Sequence, residues 1–307
     1  MGQLITRRAA LATVGLGLAA ACAPASRGLT IYCAQDQVYS EPIFAEFQKQ
    51  NGIEVRAVFD SEMVKSVGLA NRLMAEKPHP RAALFWNNEP LRSFQLAGAG
   101  VVDEQIESFG HRSRRLVINT ELLKPEQAPR DWLELTDVKW RGKMAMAYPL
   151  FGSTSTHFLA LRQQLGGRDW ENWCRALAAN SPLMVDGNSV VVQMVGSGNA
   201  SIGMTDSDDI AAGIRNGMPI AALPLSPSSL LLANTVCRVK NGPESERAET
   251  FLAYLKSPQT VEKLVKAGAL EGPDVTTEAE TLQPDWKRLA ANSAEGMAML
   301  KGIFLRA

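Results

Sequence analysis

The sequence predicts an α/β fold in which mostly parallel strands are flanked by helices, with enough chain for two lobes. Three observations carry this reading. Short apolar runs alternate along the chain with longer segments of helical periodicity. Polar turns built from Asn, Asp, Ser and Pro stand where an apolar run ends and a helix begins. Once an amino-terminal segment of 21 residues is set aside, about 286 remain, enough for two hydrophobic cores.

Leu29 to Cys33 reads as the first strand, followed by a polar loop from Ala34 to Tyr39. A helix starts at Ser40-Glu41-Pro42, where a first-turn proline is tolerated, with Ile43, Phe44 and Phe47 on one face. Ile53 to Phe59 is a strand, Glu62 to Ala75 a helix and Ala82 to Trp86 a third strand. Asn87-Asn88-Glu89-Pro90 then repeats the arrangement of cap, acid and proline ahead of a helix ending near Ala97. Arg114 to Asn119 is extended and apolar at Leu116, Val117 and Ile118, which suits a crossing from one lobe to the other.

Lys143 to Tyr148 is a strand, and helices cover Thr156 to Leu165 and Asp169 to Ala178. Leu183 to Val185 is extended, and Ser189 caps a helix through Val195. Ser201 to Met204 is a buried strand that runs into Thr205-Asp206-Ser207-Asp208-Asp209, and a helix from Ile210 to Asn216 closes at Gly217. Pro219 to Leu225 and Leu230 to Val239 are strands, the second a return crossing. Helices near Glu244 to Leu255 and Pro258 to Ala267 lead into a helical tail. The expected organisation is residues 1–21 an export signal, 22–28 a tether, 29–113 plus 228–307 one lobe, and 114–227 the other.

The amino terminus carries Arg7-Arg8, then a small-residue apolar run from Ala9 to Ala21 ending at Cys22. A basic head, a short apolar core and a small-residue cleavage region make an export signal of the twin-arginine type. Ala19-Ala20-Ala21-Cys22 resembles a lipobox, so Cys22 is the expected lipidation site, with simple cleavage as the alternative. The mature chain is then expected in the periplasm or cell envelope, held to the membrane only through a lipid anchor, and monomeric.

Removing Arg7 and Arg8 leaves 30 basic against 32 acidic residues, and no basic face with interleaved aromatics points to nucleic acid. Arg112, Arg114 and Arg115 form the only tight basic cluster and read as a solvated strand edge. Cys33, Cys174 and Cys237 are read as packing residues. Their number allows one disulfide and one thiol, and their spacing holds no zinc pattern.

Five turns share one design of strand end, polar turn and helix start: Gln35-Asp36 to Tyr39, Asn87-Asn88-Glu89, Ser153 to His157, Asp186 to Ser189, and the acidic turn at Asp206. In open α/β sheets ligands bind beyond the carboxyl ends of the strands, against helix amino termini. The hydroxyls of Ser153, Thr154 and Ser155 would sit where free backbone N–H groups and the helix dipole favour an anion. Carboxylates such as Asp36, Glu89, Asp186 and Asp206 favour a hard cation or an ammonium group. Asp208 and Asp209 are equally explained as first-turn acids complementing a helix dipole. Asp206, ahead of a Ser207 cap, is the stronger functional residue, and Asp206→Ala is expected to weaken binding while scarcely changing the melting temperature of the ligand-free protein. No nucleophile elbow, zinc-protease helix or glycine-rich phosphate loop occurs, and the only histidines are His79, His111 and His157. Binding without turnover is the expected class, and no resident cofactor is expected.

Taken in order, Tyr32-Cys33-Ala34-Gln35-Asp36, Ala82 to Pro90, Arg112 to Asn119, Tyr148 to His157, Asp186-Gly187-Asn188-Ser189 and Gly203 to Asp209 resemble the ferric-ion type of bacterial extracellular solute-binding protein. The similarity covers essentially the whole mature chain. It implies a two-lobed type II periplasmic-binding-protein fold joined by two crossing strands, working with the permease and ATPase subunits of an ABC importer. In ferric-binding members a His, a Glu and two adjacent Tyr hold the metal, and a phosphate or carbonate rests on a Ser/Thr loop and an Asn.

The resemblance places Asp36 near the His position, Asn88 or Glu89 near the Glu, and Ser207-Asp208-Asp209 over the tyrosine pair. Ser153, Thr154, Ser155 and Asn188 keep the anion side. The implied metal set is Asp36, Glu89, Asp206 and Asp208, with Tyr39, Asn87, Asn88, Asp186 and Asn188 as further ligand contacts. Three readings follow: capture of iron(III) with a synergistic anion; capture of a small phosphorylated or zwitterionic ligand such as an aminophosphonate; and, from another class, an exported metal-assisted hydrolase using Ser153 or Asp206.

Overall fold

The computed structural model describes residues 28–60, 65–273 and 280–305. The expected export signal, Cys22 and the tether up to residue 27 lie outside the described residues, as does the expected helix start at Glu62.

Among the described residues nine strands form one sheet in the order β2-β1-β3-β9-β4-β7-β5-β6, with β8 paired to β4. Two parallel triplets lie at its ends. β1 (Leu29–Cys33) runs between β2 (Val55–Val58) and β3 (Leu84–Asn87), and β5 (Met144–Ala147) between β6 (Leu183–Val185) and β7 (Ile202–Asp206). Between them run the long antiparallel strands β4 (Glu107–Asn119) and β9 (Leu231–Arg238), with β8 (Ile220–Ala222) at the side. The extended segment expected from Arg114 therefore begins seven residues earlier; it pairs with β7 of the second triplet and, on its other side, with β9, which pairs with β3 of the first.

Each triplet is covered on both faces, which is why its strands read as apolar runs without alternation. In the first half, Ile43, Phe44 and Phe47 of α1 (Gln37–Asn51) join α8 (Ser245–Leu255) and α9 (Pro258–Ala267) over Ile31, Leu84 and Trp86. Leu69 and Leu73 of α2 (Lys65–Ala75) and Leu96 of α3 (Pro90–Gly98) cover the other face at Tyr32 and Phe85.

In the second half, α4 (Gly152–Leu165) and α5 (Gly167–Ala179) bury Phe158, Trp170 and Trp173 with Trp132 and Met146. α6 (Asn188–Gly196) and α7 (Ser207–Arg215) bury Val191, Val195 and Ile210 against Val117 and Ala145. A Cβ on Gly203 would lie 2.7 Å from Val191 Cγ1, so the bare glycine lets α6 sit directly on β7. The carboxyl-terminal helices α10 (Trp286–Ala291) and α11 (Ser293–Phe304), expected with the first lobe, place Leu289, Leu300, Ile303 and Phe304 in the core of the second half. α10 also packs along α3, with Phe94 and Trp286 stacked at 6.2 Å.

Helix starts differ from expectation in one consistent way. α1 begins at Gln37, α4 at Gly152 and α7 at Ser207, each three or four residues early. Residues that favour caps and turns here form first turns, because the tertiary setting gives their side chains partners across the sheet end. Pro42 consequently lies inside α1 rather than at its start. No helix among the described residues is long and apolar enough to cross a membrane.

Candidate functional site

The carboxyl ends of β1, β3, β5, β6 and β7 converge with the amino termini of α1, α3, α4, α6 and α7. A hollow of about 60 Å³ opens there, lined by Asp36, Ser66, Asn88, Arg112, Tyr148, Gly152, Ser153, Thr154, Asp186, Asn188, Asp206 and Asp209 among others.

Two arginines organise its inner wall. Arg112 and Arg114 lie two apart on β4 and so share a face of the strand. β4 runs antiparallel to β7 with Arg114 opposite Asp206, and one step further Ser207 Oγ accepts from the Ser113 N–H at 3.0 Å. Arg112 Nη1 lies 2.9 Å from both oxygens of Asp208 and 2.7 Å from Asp206 Oδ2, and its Nε donates to the Asn88 carbonyl at 3.2 Å. Arg114 Nη1 donates to Asp206 Oδ1 at 2.5 Å and to Asn188 Oδ1 at 2.9 Å, with its guanidinium over the Trp132 ring. Both arginines are buried, so the solvated-edge reading of this cluster is overturned. Arg112 also lines the hollow, so its guanidinium borders the space as well as the carboxylates.

Asp206 is the hub. Besides both arginines, its Oδ2 accepts from Ser153 Oγ at 2.7 Å and Asn188 Nδ2 at 3.2 Å. It occupies the cap position of α7 without capping it. Burial opposes its ionisation, yet Arg112 and Arg114 hold its carboxyl below the usual range. For Asp208 burial outweighs Arg112, and the carboxyl is pushed up to about 6. Asp209 is raised well above the ordinary value by burial and by Asp208, Asp206 and Asp36. Oxygens of Asp206, Asp208 and Asp209 lie within 4.8 Å of one another, the spacing of a cation site, although the first two already face arginines.

The opposite wall is a pair of helix starts. Gly152 at φ +51° turns the chain into α4, and no side chain caps that helix or α6. Their first-turn N–H groups therefore present positive dipole ends at Gly152, Ser153, Thr154, Gly187 and Asn188. Thr154 Oγ1 and Asn188 Nδ2 tie the two turns together through bonds of 3.3 Å to Asn188 Oδ1 and 3.0 Å to Ser153 Oγ.

Of the residues expected in the site, Asp36, Asn88, Ser153, Thr154, Asp186, Asn188 and Asp206 line the hollow. Five others do not. Glu89 is fully buried and caps α3, accepting from the Leu91 and Arg92 N–H groups and from Thr156 Oγ1 at 2.9 Å. Burial raises its carboxyl despite Arg92 and Thr156. Asn87 bonds Ser93 Oγ and the Glu89 carbonyl beneath it. Ser155 Oγ donates to the Gly152 carbonyl. Tyr39 turns its hydroxyl to Arg215 at 3.1 Å, and Asp208 stands behind Arg112.

His157 is also a core residue: its ring meets Trp132 edge-on and its Nε2 pairs with the Ser228 carbonyl at 2.7 Å. Burial, with Arg114 nearby, pushes its pKa down to about 3. Cys33, Cys174 and Cys237 are buried, consistent with packing, and burial raises the thiols of Cys174 and Cys237. Sequence reasoning missed Arg112, Ser66 and Asp209 as pocket residues and Arg114 as their support. The signal was present: Arg112 and Arg114 have the same two-residue spacing as Asp206 and Asp208, as antiparallel neighbours require.

Among solved structures, the fold is similar to iron-bound HitA from Pseudomonas aeruginosa, at a TM-score of 0.79 and 16% identity over 90% of this chain and 99% of that one. It is similar as well to AfuA from Actinobacillus pleuropneumoniae with fructose-6-phosphate bound, at 0.76 and 18% over 91% and 99%. An uncharacterized protein of Haemophilus influenzae is 22% identical over 284 residues, 84% of this chain and 81% of its own length. The neighbouring structures are periplasmic binding proteins of type II, the fold expected from the sequence. A family model described as bacterial extracellular solute-binding protein matches residues 29–270. The chain belongs to that family.

Proposed function

We propose that this protein is the receptor of an ABC importer for a small phosphorylated or zwitterionic solute, bound between its two halves. The observation that carries this is Arg112, a guanidinium lining a hollow also bordered by the uncapped starts of α4 and α6. A phosphoryl or phosphonate group fits between them, taking charge-assisted donation from the guanidinium and bonds from backbone N–H groups. Asp36, Asp186 and Asp209 supply acceptors for an ammonium or for hydroxyls on the remainder of the ligand. AfuA, bound to a phosphorylated sugar on the same fold, supports this class.

Iron(III) with a synergistic anion is the second reading. The spacing of Asp206, Asp208 and Asp209 favours it, as does iron-bound HitA. Against it, Arg112 and Arg114 already neutralise two of the three carboxylates, and Glu89 is committed to capping α3. The hydrolase reading lacks a strong base: His157 faces the core, and the two arginines that lower the pKa of Asp206, beside Ser153, make it a weak proton acceptor. Membership of the family supports delivery to permease and ATPase subunits, action as a monomer and residence outside the cytoplasm. The amino-terminal Arg7-Arg8 and Ala19-Ala20-Ala21-Cys22 support a lipid anchor.

Thermal unfolding with inorganic phosphate, fructose 6-phosphate, 2-aminoethylphosphonate and ferric citrate, alongside metal analysis, tests the choice. A ligand at 100 times its dissociation constant adds about 2.7 kcal/mol of stability. A rise with a phosphorylated or phosphonate compound and none with iron supports the proposal. Stabilisation by iron alone overturns it.

A further inference from the structure

We infer that Arg215 and Tyr39 form a strap across the mouth of the cleft, positioning the two halves for binding without touching the ligand. The inference rests on the reading of the cleft as a solute site. Arg215 ends α7, whose Ile210 belongs to a core of the second half, whereas Tyr39 lies in the first turn of α1, in a core of the first. Arg215 Nη2 donates to the Tyr39 hydroxyl at 3.1 Å. The same guanidinium rests on the first half a second time: a Cβ on Gly268, the residue ending α9, would lie 2.3 Å from Arg215 Nη1. One exposed side chain of the second half thus meets two elements of the first.

The location gives the contact leverage. On the other flank the halves join through buried bonds, Thr156 to Glu89 and Arg92 to Ser155, between α4 and α3. Those bonds lie in the protein interior and make a pivot. The Arg215 contact is at the solvent-facing rim, where breaking it lets the halves part without unpacking either core. Asp36, three residues before Tyr39, lines the ligand hollow, which sets the strap beside the site. A single rim hydrogen bond has a modest net worth, and its removal lowers the closed-to-open ratio by about two- to fivefold. Apparent affinity falls by up to that factor, in proportion to the closed fraction, because only closed molecules hold ligand with both walls.

The test compares wild type, Arg215→Ala, Arg215→Lys, Tyr39→Phe and the double variant Arg215→Ala/Tyr39→Phe. Pulsed dipolar spectroscopy between spin labels at Gln50→Cys on α1 and Gln193→Cys on α6, in a Cys22→Ser background, reads the separation of the halves without ligand. Calorimetric titration with fructose 6-phosphate and with inorganic phosphate reads affinity. The strap predicts longer separations and binding weaker by up to about two- to fivefold in both single variants, no further loss in the double variant, partial recovery with lysine, and unchanged melting temperatures. Unchanged separations in Arg215→Ala overturn it. So does a Tyr39→Phe defect far larger than that of Arg215→Ala, which would put the phenol on the ligand. If separations lengthen as predicted while neither phosphate compound binds wild type, the strap stands and the assignment of the solute fails.

Discussion

Replacing Asp206 by Asn removes the charge on which two buried guanidinium groups depend. Arg112 retains Asp208, and Arg114 retains Asn188 Oδ1 and the Met204 carbonyl, but Arg114 loses the one carboxylate it pairs with among the described residues. Breaking one side of a buried ion pair costs about 3–5 kcal/mol, because the remaining charge stays desolvated. For a chain of this size that is about 2–3 °C per kcal/mol, so the ligand-free variant should melt about 6–15 °C below wild type. Urea unfolding followed by tryptophan fluorescence at pH 7 measures the difference directly. This reverses the expectation from sequence, in which Asp206 touched ligand alone and its loss left the apo protein unchanged. A ligand-free Asp206→Asn protein within about 1 kcal/mol of wild type would refute the reasoning, since the arginines would then need no carboxylate.

Glu89→Gln should lower stability by about 1 kcal/mol through the weakened cap of α3, with ligand affinity unchanged, as unfolding and titration will show. Asp186→Asn, on the pocket wall, should do the opposite: unfolding within about 0.5 kcal/mol of wild type, and weaker binding of any ligand bearing an ammonium group. His157 makes stability pH-dependent. Its folded pKa of about 3 lies below the unfolded value of 6.5, so its contribution is complete above pH 6.5 and is lost as the pH falls toward 3. Between pH 7.5 and 5 the loss is about 2 kcal/mol, and unfolding curves of His157→Gln should lack that part of the slope.

The strands were legible because both faces of each triplet are covered, and an apolar run bounded by turn residues is then a sufficient signal. The turns that carry the site were legible for the same reason: Asp36, Ser153, Asp186, Asn188 and Asp206 all follow strand ends. Their roles were harder to read. A hydroxyl or carboxylate at a helix start looks the same in sequence whether it caps the helix, pairs with a charge or faces a ligand. Glu89 caps, Asp206 pairs and Asp36 faces the hollow, and only the third dimension separates them. Arg112 and Arg114 were misread because their partners lie 96 and 92 residues away, in the first turn of α7 and at the end of β7, and the pairing of β7 with β4 is not announced by the local pattern. Which core the helices from Trp286 onward join was not legible, because an apolar helical face does not name the core it meets.

Calorimetric titration of the wild-type protein, freed of bound metal, with 2-aminoethylphosphonate, fructose 6-phosphate and ferric citrate puts the assignment of the cleft to its most direct test. An anionic group seated at Arg112 predicts saturable one-to-one binding of a phosphorus-bearing compound and no specific uptake of iron. Stoichiometric iron binding, with no heat from either phosphorus compound, would contradict it.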